Sequence, residues 1–155
     1  MGIKSFQGRR AEPKKAASTP MCVKDYMTTD LVTFRKHQTV IEVMEQLMHH
    51  KISGACVVDE DYNLQGVISE GDCIKHISDS RYYNLPMDDN LVEKRMTCDA
   101  ITIDAEMNVL EAAKKFIEHR FRRFPIVSNG KLVGQLSQSD VLRAALALKG
   151  QSWGS

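Results

Sequence analysis

The chain of 155 residues is long enough for one domain, or for two small subdomains that share a core. Its 21 basic and 20 acidic side chains leave a formal net charge of +1, which argues against a dedicated nucleic-acid binder, because phosphate contacts need a large basic surplus. No stretch approaches the roughly 20 apolar residues that span a bilayer, and the N-terminus has no apolar signal core. We therefore expect a cytoplasmic protein that does not contact membranes.

The two ends of the chain differ in composition from its middle. Residues 1–20 are basic, polar and rich in helix breakers, without hydrophobic periodicity, so we predict a flexible arm there. We do not expect this arm to bind nucleic acid, since arms this short usually only interact with solvent. Residues 149–155 are predicted to form a short tail.

The middle of the chain contains an internal repeat. A shift of 69 positions places Met27-Thr28 on Met96-Thr97, and after a one-residue deletion near Gly130 a shift of 68 places Asp72 on Asp140. We therefore divide the chain into a first repeat at 21–78, a linker at 79–94 and a second repeat at 95–148.

The first repeat predicts strand, helix, strand, strand and helix in that order. An extended run at 31–34 precedes Thr39 and Glu42, which fit a capping box at the start of a helix. Two apolar runs at 55–58 and 65–68 predict paired strands, and Ser69 to Asp72 begins a second helix. The first helix should bury one apolar face, whose members follow helical spacing: Val40, Val43, Met44, Leu47 and Met48.

The second repeat predicts the same elements. An extended run at 100–103 is followed by a helix capped at Asn108, strands at 124–127 and 132–136, and a helix beginning at Ser137. Asn129-Gly130 favours a tight hairpin turn between the strands. The buried face of the first helix is predicted to contain Val109, Ala112, Ala113, Phe116 and Ile117. In the linker, the aromatic and apolar residues predict a packed segment: Tyr82, Tyr83, Leu85, Pro86 and Met87.

Neither catalytic nor metal-binding motifs occur in the sequence. It has no P-loop, no G-x-G-x-x-G, no G-x-S-x-G and no H-E-x-x-H, so we expect neither an enzyme nor a metal site. The four cysteines form no C-x-x-C pair and are expected to stay reduced, with Cys56 buried.

Two seven-residue segments carry a family resemblance. Gly66-Val67-Ile68-Ser69-Glu70-Gly71-Asp72 and Gly134-Gln135-Leu136-Ser137-Gln138-Ser139-Asp140 follow the pattern G-h-h-S/T-x-S/T-D, and each repeat opens on Met-Thr. In this respect the chain resembles the CBS-domain family in its tandem form, the Bateman module, from about Cys22 to Ala147. The resemblance implies an α+β (α/β) fold in which two CBS repeats pack with pseudo-twofold symmetry.

The resemblance also implies a function. Family members are commonly non-catalytic regulatory modules that bind AMP, ADP or ATP between the repeats, with S-adenosylmethionine and NAD as other ligands, and that pair into homodimers. We therefore expect an adenosine ligand, a homodimer and a regulated protein that the sequence does not identify. The alternative is a protein-interaction module whose ligand site is vestigial.

The principal ligand site is predicted in the second repeat. By resemblance, Asp140 accepts hydrogen bonds from the ribose hydroxyls, while Arg122 and Arg123 offer planar guanidinium groups to phosphate. Further predicted contacts are the hydroxyls and the apolar wall of the pocket: Thr102, Ser137, Ser139, Ile103, Phe124 and Pro125. The competing interpretations are a helix cap for Asp140, a solvated pair for the arginines and ordinary core for the apolar residues.

A second cleft, with fewer ligand-binding groups, is predicted in the first repeat. It contains Thr33, Ser69 and Asp72. Gly71 stands where the second repeat has Ser139, which removes a hydroxyl, and the first repeat has no arginine pair.

Overall fold

The computed structural model describes residues 21–83 and 90–149, so the predicted arm and nearly all of the predicted tail lie outside the described residues. A 3-10 turn at Val23–Asp25 precedes the first repeat. The first repeat contains β1 (Thr33–Phe34), α1 (Val40–His50), β2 (Gly54–Val58), β3 (Leu64–Ser69) and α2 (Glu70–Tyr83). After the short helix α3 (Val92–Arg95), the second repeat contains β4 (Ile103–Asp104), α4 (Val109–His119), β5 (Arg123–Ser128), β6 (Lys131–Ser137) and α5 (Gln138–Leu148).

The two repeats have the same sheet topology, which confirms the predicted α+β class. Each has a three-stranded sheet, in the orders β1-β2-β3 and β4-β5-β6. The first strand is parallel to the second, which forms an antiparallel hairpin with the third. The register is shared too, since Phe34 pairs with Val57 where Ile103 pairs with Ile126. The first strands are shorter than predicted.

Side-chain caps begin the helices where the sequence predicts them. Thr39 Oγ1 accepts a hydrogen bond from the amide of Glu42 at 3.1 Å, and the Glu42 carboxylate accepts one from the amide of Thr39 at 2.8 Å. Asn108 instead caps α4 alone, through the amide of Leu110 at 2.8 Å. Both α1 and α4 end in a residue with left-handed backbone, Lys51 and Arg120.

The predicted apolar faces of α1 and α4 are wrong at one equivalent position. Val40, Val43 and Leu47 are buried, but Met48 is 74% exposed. Its counterpart Ile117 is 79% exposed. Position i+8 lies beyond the edge of the stripe that packs on each sheet, because the stripe is narrower than the spacing alone indicates.

The linker prediction is also wrong where the structure describes it. Tyr82 is 82% exposed and Tyr83 is 65% exposed at the end of α2, so their rings lie outside the core and contact each other edge to face, with centroids 4.8 Å apart. Leu85, Pro86 and Met87 lie outside the described residues. A short ion pair between Arg95 and Asp79, 2.7 Å from Nη1 to Oδ2, holds α3 against α2.

Each repeat has its own core, and a third apolar cluster joins the repeats. Phe34, Val57 and Ile68 are buried in the first core, and Ile103 and Phe124 are buried in the second. The joining cluster takes members from both sheets: Cys56, Val58 and Leu132, with Leu31, Leu64 and Val67 packed against them. A single repeat buries little surface, so this cluster completes a common core.

The segments that lead into the two repeats cross over and pair with the opposite repeat. Thr28, before the first repeat's sheet, exchanges two hydrogen bonds of 2.9 Å with Gln135 of β6. Thr97, before the second repeat's sheet, exchanges hydrogen bonds of 2.8 and 3.0 Å with Val67 of β3. The repeats are therefore linked by backbone pairing as well as by apolar packing.

The two glycines of the repeated motif make this crossing sterically feasible. A Cβ built on Gly66 would lie 2.5 Å from the carbonyl oxygen of Thr97. A Cβ on Gly134 would lie 2.4 Å from Sδ of Met27 and 3.0 Å from the carbonyl oxygen of Thr28. Glycine is required at position 66 because the crossing backbone passes directly over the strand, whereas at position 134 an added side chain would chiefly displace the flexible side chain of Met27.

We expect Gly66→Ala to destabilise the fold by about 1–3 kcal/mol, because the backbone of Thr97 would have to move. Gly71 provides the matched control, since it is exposed in α2 and an added Cβ meets nothing closer than 3.6 Å. Gly71→Ala should raise stability by up to about 1 kcal/mol, because alanine favours a helix. Urea unfolding of both variants measures the difference, and equal midpoints would contradict the role given to Gly66.

Candidate functional site

A cavity of about 510 Å³ lies between the two repeats. Its volume is in the range of small-molecule sites. The first repeat contributes strand residues to its wall, namely Ser53, Gly54, Ala55, Cys56, Val67, Ile68 and Ser69. The second repeat and the segment before it contribute Thr97, Asp99, Ala100, Ile101, Arg120, Phe121, Arg122, Arg123, Pro125 and Gln135.

Two cross-strand pairs, one from each repeat, form opposite parts of the wall. Cys56 pairs with Val67 in the first sheet, and Pro125 pairs with Gln135 in the second. The two pairs occupy equivalent positions in the repeats. Residues paired across antiparallel strands project from the same face, so each pair lines the cavity side by side. Most of this wall is apolar.

Three arginines line one side of the cavity, where α4 is followed by β5. Arg120 ends the helix with φ 56°, and Arg122 and Arg123 follow in the turn and at the start of the strand. Side-chain and backbone contacts from α5 hold this turn, because Gln138 donates to the carbonyl oxygens of Phe121 and Arg122, each at 3.2 Å. The three arginines are exposed, and none forms an ion pair within the described ranges.

The N-terminus of α2 adds hydroxyl and carboxylate groups on the other side. Ser69 lines the cavity, and Oδ2 of Asp72 accepts from the amide of Ser69 at 2.9 Å and from its hydroxyl at 3.1 Å. Asp72 is half-buried, and its Oδ1 has no hydrogen-bond partner among residues 21–83 and 90–149. Asp72 does not itself line the cavity, but its carboxylate is hydrogen-bonded to the lining residue Ser69 and retains an oxygen that can accept further hydrogen bonds.

The N-terminus of α5 has the same cap in a different environment. Oδ2 of Asp140 accepts from the amide of Ser137 at 2.7 Å, and its Oδ1 forms an ion pair with Arg143. Asp140 is only 3% exposed, so both of its oxygens are occupied inside the protein. Ser137, Ser139 and Asp140 do not line the cavity described above.

The structure thus groups the predicted site residues differently from the sequence analysis. Arg122, Arg123 and Pro125 line one cavity with Ser69, which the sequence assigned to the other cleft. Among the remaining predicted residues, Ile103 and Phe124 are buried in the second core, at 1% and 0% exposure. Thr33 begins β1 and Thr102 precedes β4; both are half-buried and outside the cavity wall. The roles predicted for these residues remain predictions.

Sequence reasoning missed several residues of the cavity wall. Thr97, Ala100 and Ile101 belong to the crossing segment, whose position depends on tertiary pairing and has no local signal. Gln135 could have been recognised as a candidate from the sequence. The repeat alignment gives it the position of Val67 in the first repeat, so a polar residue replaces an apolar one.

Burial protects the thiol in the cavity wall. Cys56 is 4% exposed, and its removal from water raises the pKa of the thiol to about 11. It is therefore a neutral, weakly polar wall group near neutral pH.

A smaller cavity of about 200 Å³ lies beside the hairpin of the first repeat. It is lined by charges of both signs, from Arg35, Lys36 and His37 to Asp59, Glu60 and Asp61, with Val58 and Gln65. Hydrogen bonds from Asn63 hold the pKa of Asp59 below its usual value. Two basic side chains lie beside three carboxylates there, so the charges largely offset one another and select neither a strongly anionic nor a strongly cationic ligand.

The described part of the chain has neither a metal-binding cluster nor a membrane-spanning helix. Within residues 21–83 and 90–149, no three histidine, cysteine, aspartate or glutamate side chains are grouped so that they could hold a metal ion. In the same ranges, no helix has the length and apolar character needed to cross a membrane.

Comparison with known proteins identifies the family. The CBS domain family matches residues 23–79 and 91–147, and the chain therefore belongs to it. CBSX1, a chloroplastic CBS domain-containing protein of Arabidopsis thaliana, is 31% identical over 153 residues, which cover 82% of this chain and 65% of CBSX1. The uncharacterized protein MJ1225 of Methanocaldococcus jannaschii is 27% identical over 84% of this chain and 44% of its own length. The chain spans less than two thirds of both relatives.

Solved structures of CBS pairs share the fold. CBSX2 of Arabidopsis thaliana in complex with AMP has a TM-score of 0.73 and 30% identity, over 84% of this chain and 99% of that chain. The CBS domain pair of MJ0100 in complex with 5'-methylthioadenosine and S-adenosyl-L-methionine has a TM-score of 0.64 and 25% identity, over 86% of this chain and 99% of that chain. The expected cytoplasmic location stays a prediction, because the relative CBSX1 is named as chloroplastic.

Proposed function

We propose that this chain is a non-catalytic regulatory module that binds an adenine nucleotide, AMP, ADP or ATP, in the cavity between its two repeats. The cavity carries the proposal, since one apolar space of about 510 Å³ has three arginines on one side and a serine-aspartate cap on the other. A nucleotide has the matching parts, namely an apolar base, a ribose with two hydroxyls and an anionic phosphate. The AMP complex of CBSX2 and the MJ0100 complexes support the ligand class.

The charge of the cavity supports a phosphorylated ligand. Arg120, Arg122 and Arg123 have no carboxylate partner in the described part of the chain, so a phosphate can pair with them directly. The sulfonium of S-adenosylmethionine would instead be repelled by the same cations. The affinity for uncharged 5'-methylthioadenosine should lie between those for a phosphorylated nucleotide and for S-adenosylmethionine.

Calorimetric titration of the full chain tests this order. We expect ATP and ADP to bind more tightly than AMP, and S-adenosylmethionine to bind at least about tenfold more weakly than ATP, which corresponds to about 1.4 kcal/mol. Arg122→Ala and Arg123→Ala should each weaken ATP binding about tenfold, and should leave the affinity for 5'-methylthioadenosine unchanged. Added salt should reduce the difference in affinity between ATP and S-adenosylmethionine, because salt screens the charges of these exposed arginines.

Arg81→Ala is the matched control, since Arg81 is an exposed arginine on α2 outside the cavity wall. It removes the same charge and should leave ATP binding unchanged. Equal loss in all three arginine variants, or loss of 5'-methylthioadenosine binding with Arg122→Ala, would contradict phosphate binding at Arg122. Absence of binding by every nucleotide would overturn the proposed function.

The ribose can be assigned by comparing the two repeated aspartates. The geometry favours Asp72, because its Oδ1 has no described partner and Ser69 lines the cavity, whereas the sequence resemblance favours Asp140. Asp72→Ala and Asp140→Ala remove the same kind of cap, at a similar cost of about 1 kcal/mol in stability, so each is a control for the other.

We expect Asp72→Ala to weaken AMP binding tenfold or more, and Asp140→Ala to change it less than twofold, because charge-assisted hydrogen bonds to ribose are lost only in the first. Calorimetry at a temperature where both variants are folded makes the measurement. A larger loss of AMP affinity in Asp140→Ala than in Asp72→Ala would assign the ribose to Asp140. The nucleotide would then bind beside the N-terminus of α5, outside the cavity described above.

An interaction module is the second candidate, and exposed apolar side chains on the helices favour it. Met48 and Ile117 occupy equivalent positions and are 74% and 79% exposed, and Ile74 and Leu142 are a second equivalent pair at 64% and 65%. Such a repeated apolar surface supports the expected homodimer or a contact with a regulated protein. If no nucleotide binds, this surface becomes the leading explanation of function.

A further inference from the structure

The cavity wall has a side-chain amide at one of its four cross-strand paired positions. Of its two repeat-related pairs, Cys56 with Val67 is apolar, and Pro125 presents a saturated ring. Gln135 is the fourth member, and it brings an amide into a position that the first repeat fills with Val67. The first repeat therefore serves as a reference for the second, and by this comparison Gln135 is the residue that differs in polarity.

The backbone of Gln135 is fixed in place. Its amide and carbonyl groups exchange hydrogen bonds of 2.9 Å with Thr28, in the segment that precedes the first repeat's sheet. The neighbouring Gly134 lies against Met27 of the same segment. The side-chain amide, by contrast, has no hydrogen-bond partner among the described residues. A rigid backbone with an unused amide facing a cavity is suited to recognising a ligand group.

The neighbour of Gln135 supplies a surface for a planar ring. Pro125 is its direct partner across β5 and β6, so the pyrrolidine ring and the amide lie side by side on one face. Arg123 lies on the same face two residues earlier, about 7 Å along the strand. A ligand whose phosphate pairs with Arg123 can thus extend its base over Pro125.

The amide of glutamine matches the edge of adenine. It offers one acceptor and one donor group, which complement the 6-amino group and an adjacent ring nitrogen of adenine. The opposite wall formed by Cys56 and Val67 has no comparable group, since the Cys56 thiol bonds only weakly.

We propose that Gln135 reads the edge of the base and is the residue that makes this cavity selective for adenine. The inference rests on the proposed nucleotide function and extends it to the choice of base. Pro125 packs against the adenine ring, and the backbone pairing with Thr28 holds Gln135 in place beside it.

A comparison of two ligands in two proteins tests the proposal. The probes are AMP and purine riboside 5'-monophosphate, which lacks only the 6-amino group, titrated calorimetrically into the full chain. We expect the wild type to bind AMP about tenfold more tightly than the analogue, and Gln135→Leu to bind the two equally. Gln46→Leu makes the same change at an exposed glutamine of α1 outside the cavity wall; it is the matched control and should keep the preference for AMP.

A second variant tests the direction of the hydrogen bonds. Gln135→Glu retains the shape but can only accept, so it should raise the ratio of GMP to AMP affinity, because guanine presents two adjacent donors. An AMP preference that is unchanged in Gln135→Leu, or a GMP to AMP ratio that is unchanged in Gln135→Glu, would overturn the inference while the nucleotide function stands. A wild type that binds neither AMP nor the analogue would overturn both.

Discussion

Thr28 pairs with Gln135, and Thr97 pairs with Val67, so the segment entering each repeat hydrogen-bonds to the last strand of the other. The crossing over β3 needs glycine at position 66, because a side chain there would meet the crossing backbone, and a side chain at position 134 would meet Met27. Each core also takes residues from the chain that precedes the other repeat's sheet, Val92 and Met96 in the first core and Val23 and Met27 in the second. The position of the cavity follows from this exchange, since the crossing segment that contains Thr97 also contributes Ala100 and Ile101 to the wall.

The repeat gives the cavity its shape, and the differences between the repeats give it its chemistry. Equivalent positions hold Ser53 and Arg122, Cys56 and Pro125, and Val67 and Gln135. A wall of identical halves would offer a ligand the same groups twice, whereas this wall has cations and an amide on one side only. A ligand with distinct ends therefore has one preferred orientation, and a nucleotide is such a ligand.

Most of the fold could be predicted from the sequence, because helical and strand spacing and the caps at Thr39 and Ser137 are local signals. The exposure of Met48 and Ile117 could not, since it depends on how wide a stripe each helix buries against its sheet. The site was only half predictable. Arg122 and Pro125 were found from the repeat and the resemblance, but their partner Ser69 was assigned to the other cleft, because the sequence does not show which faces the crossing segments bring together.

The central claim is that the space between the repeats holds the nucleotide. A crystal structure of the full chain grown with AMP tests it most directly. We predict one nucleotide in the cavity, with its phosphate at Arg122 and Arg123 and its base against Pro125. A nucleotide bound elsewhere on the chain, with this cavity empty, would contradict it.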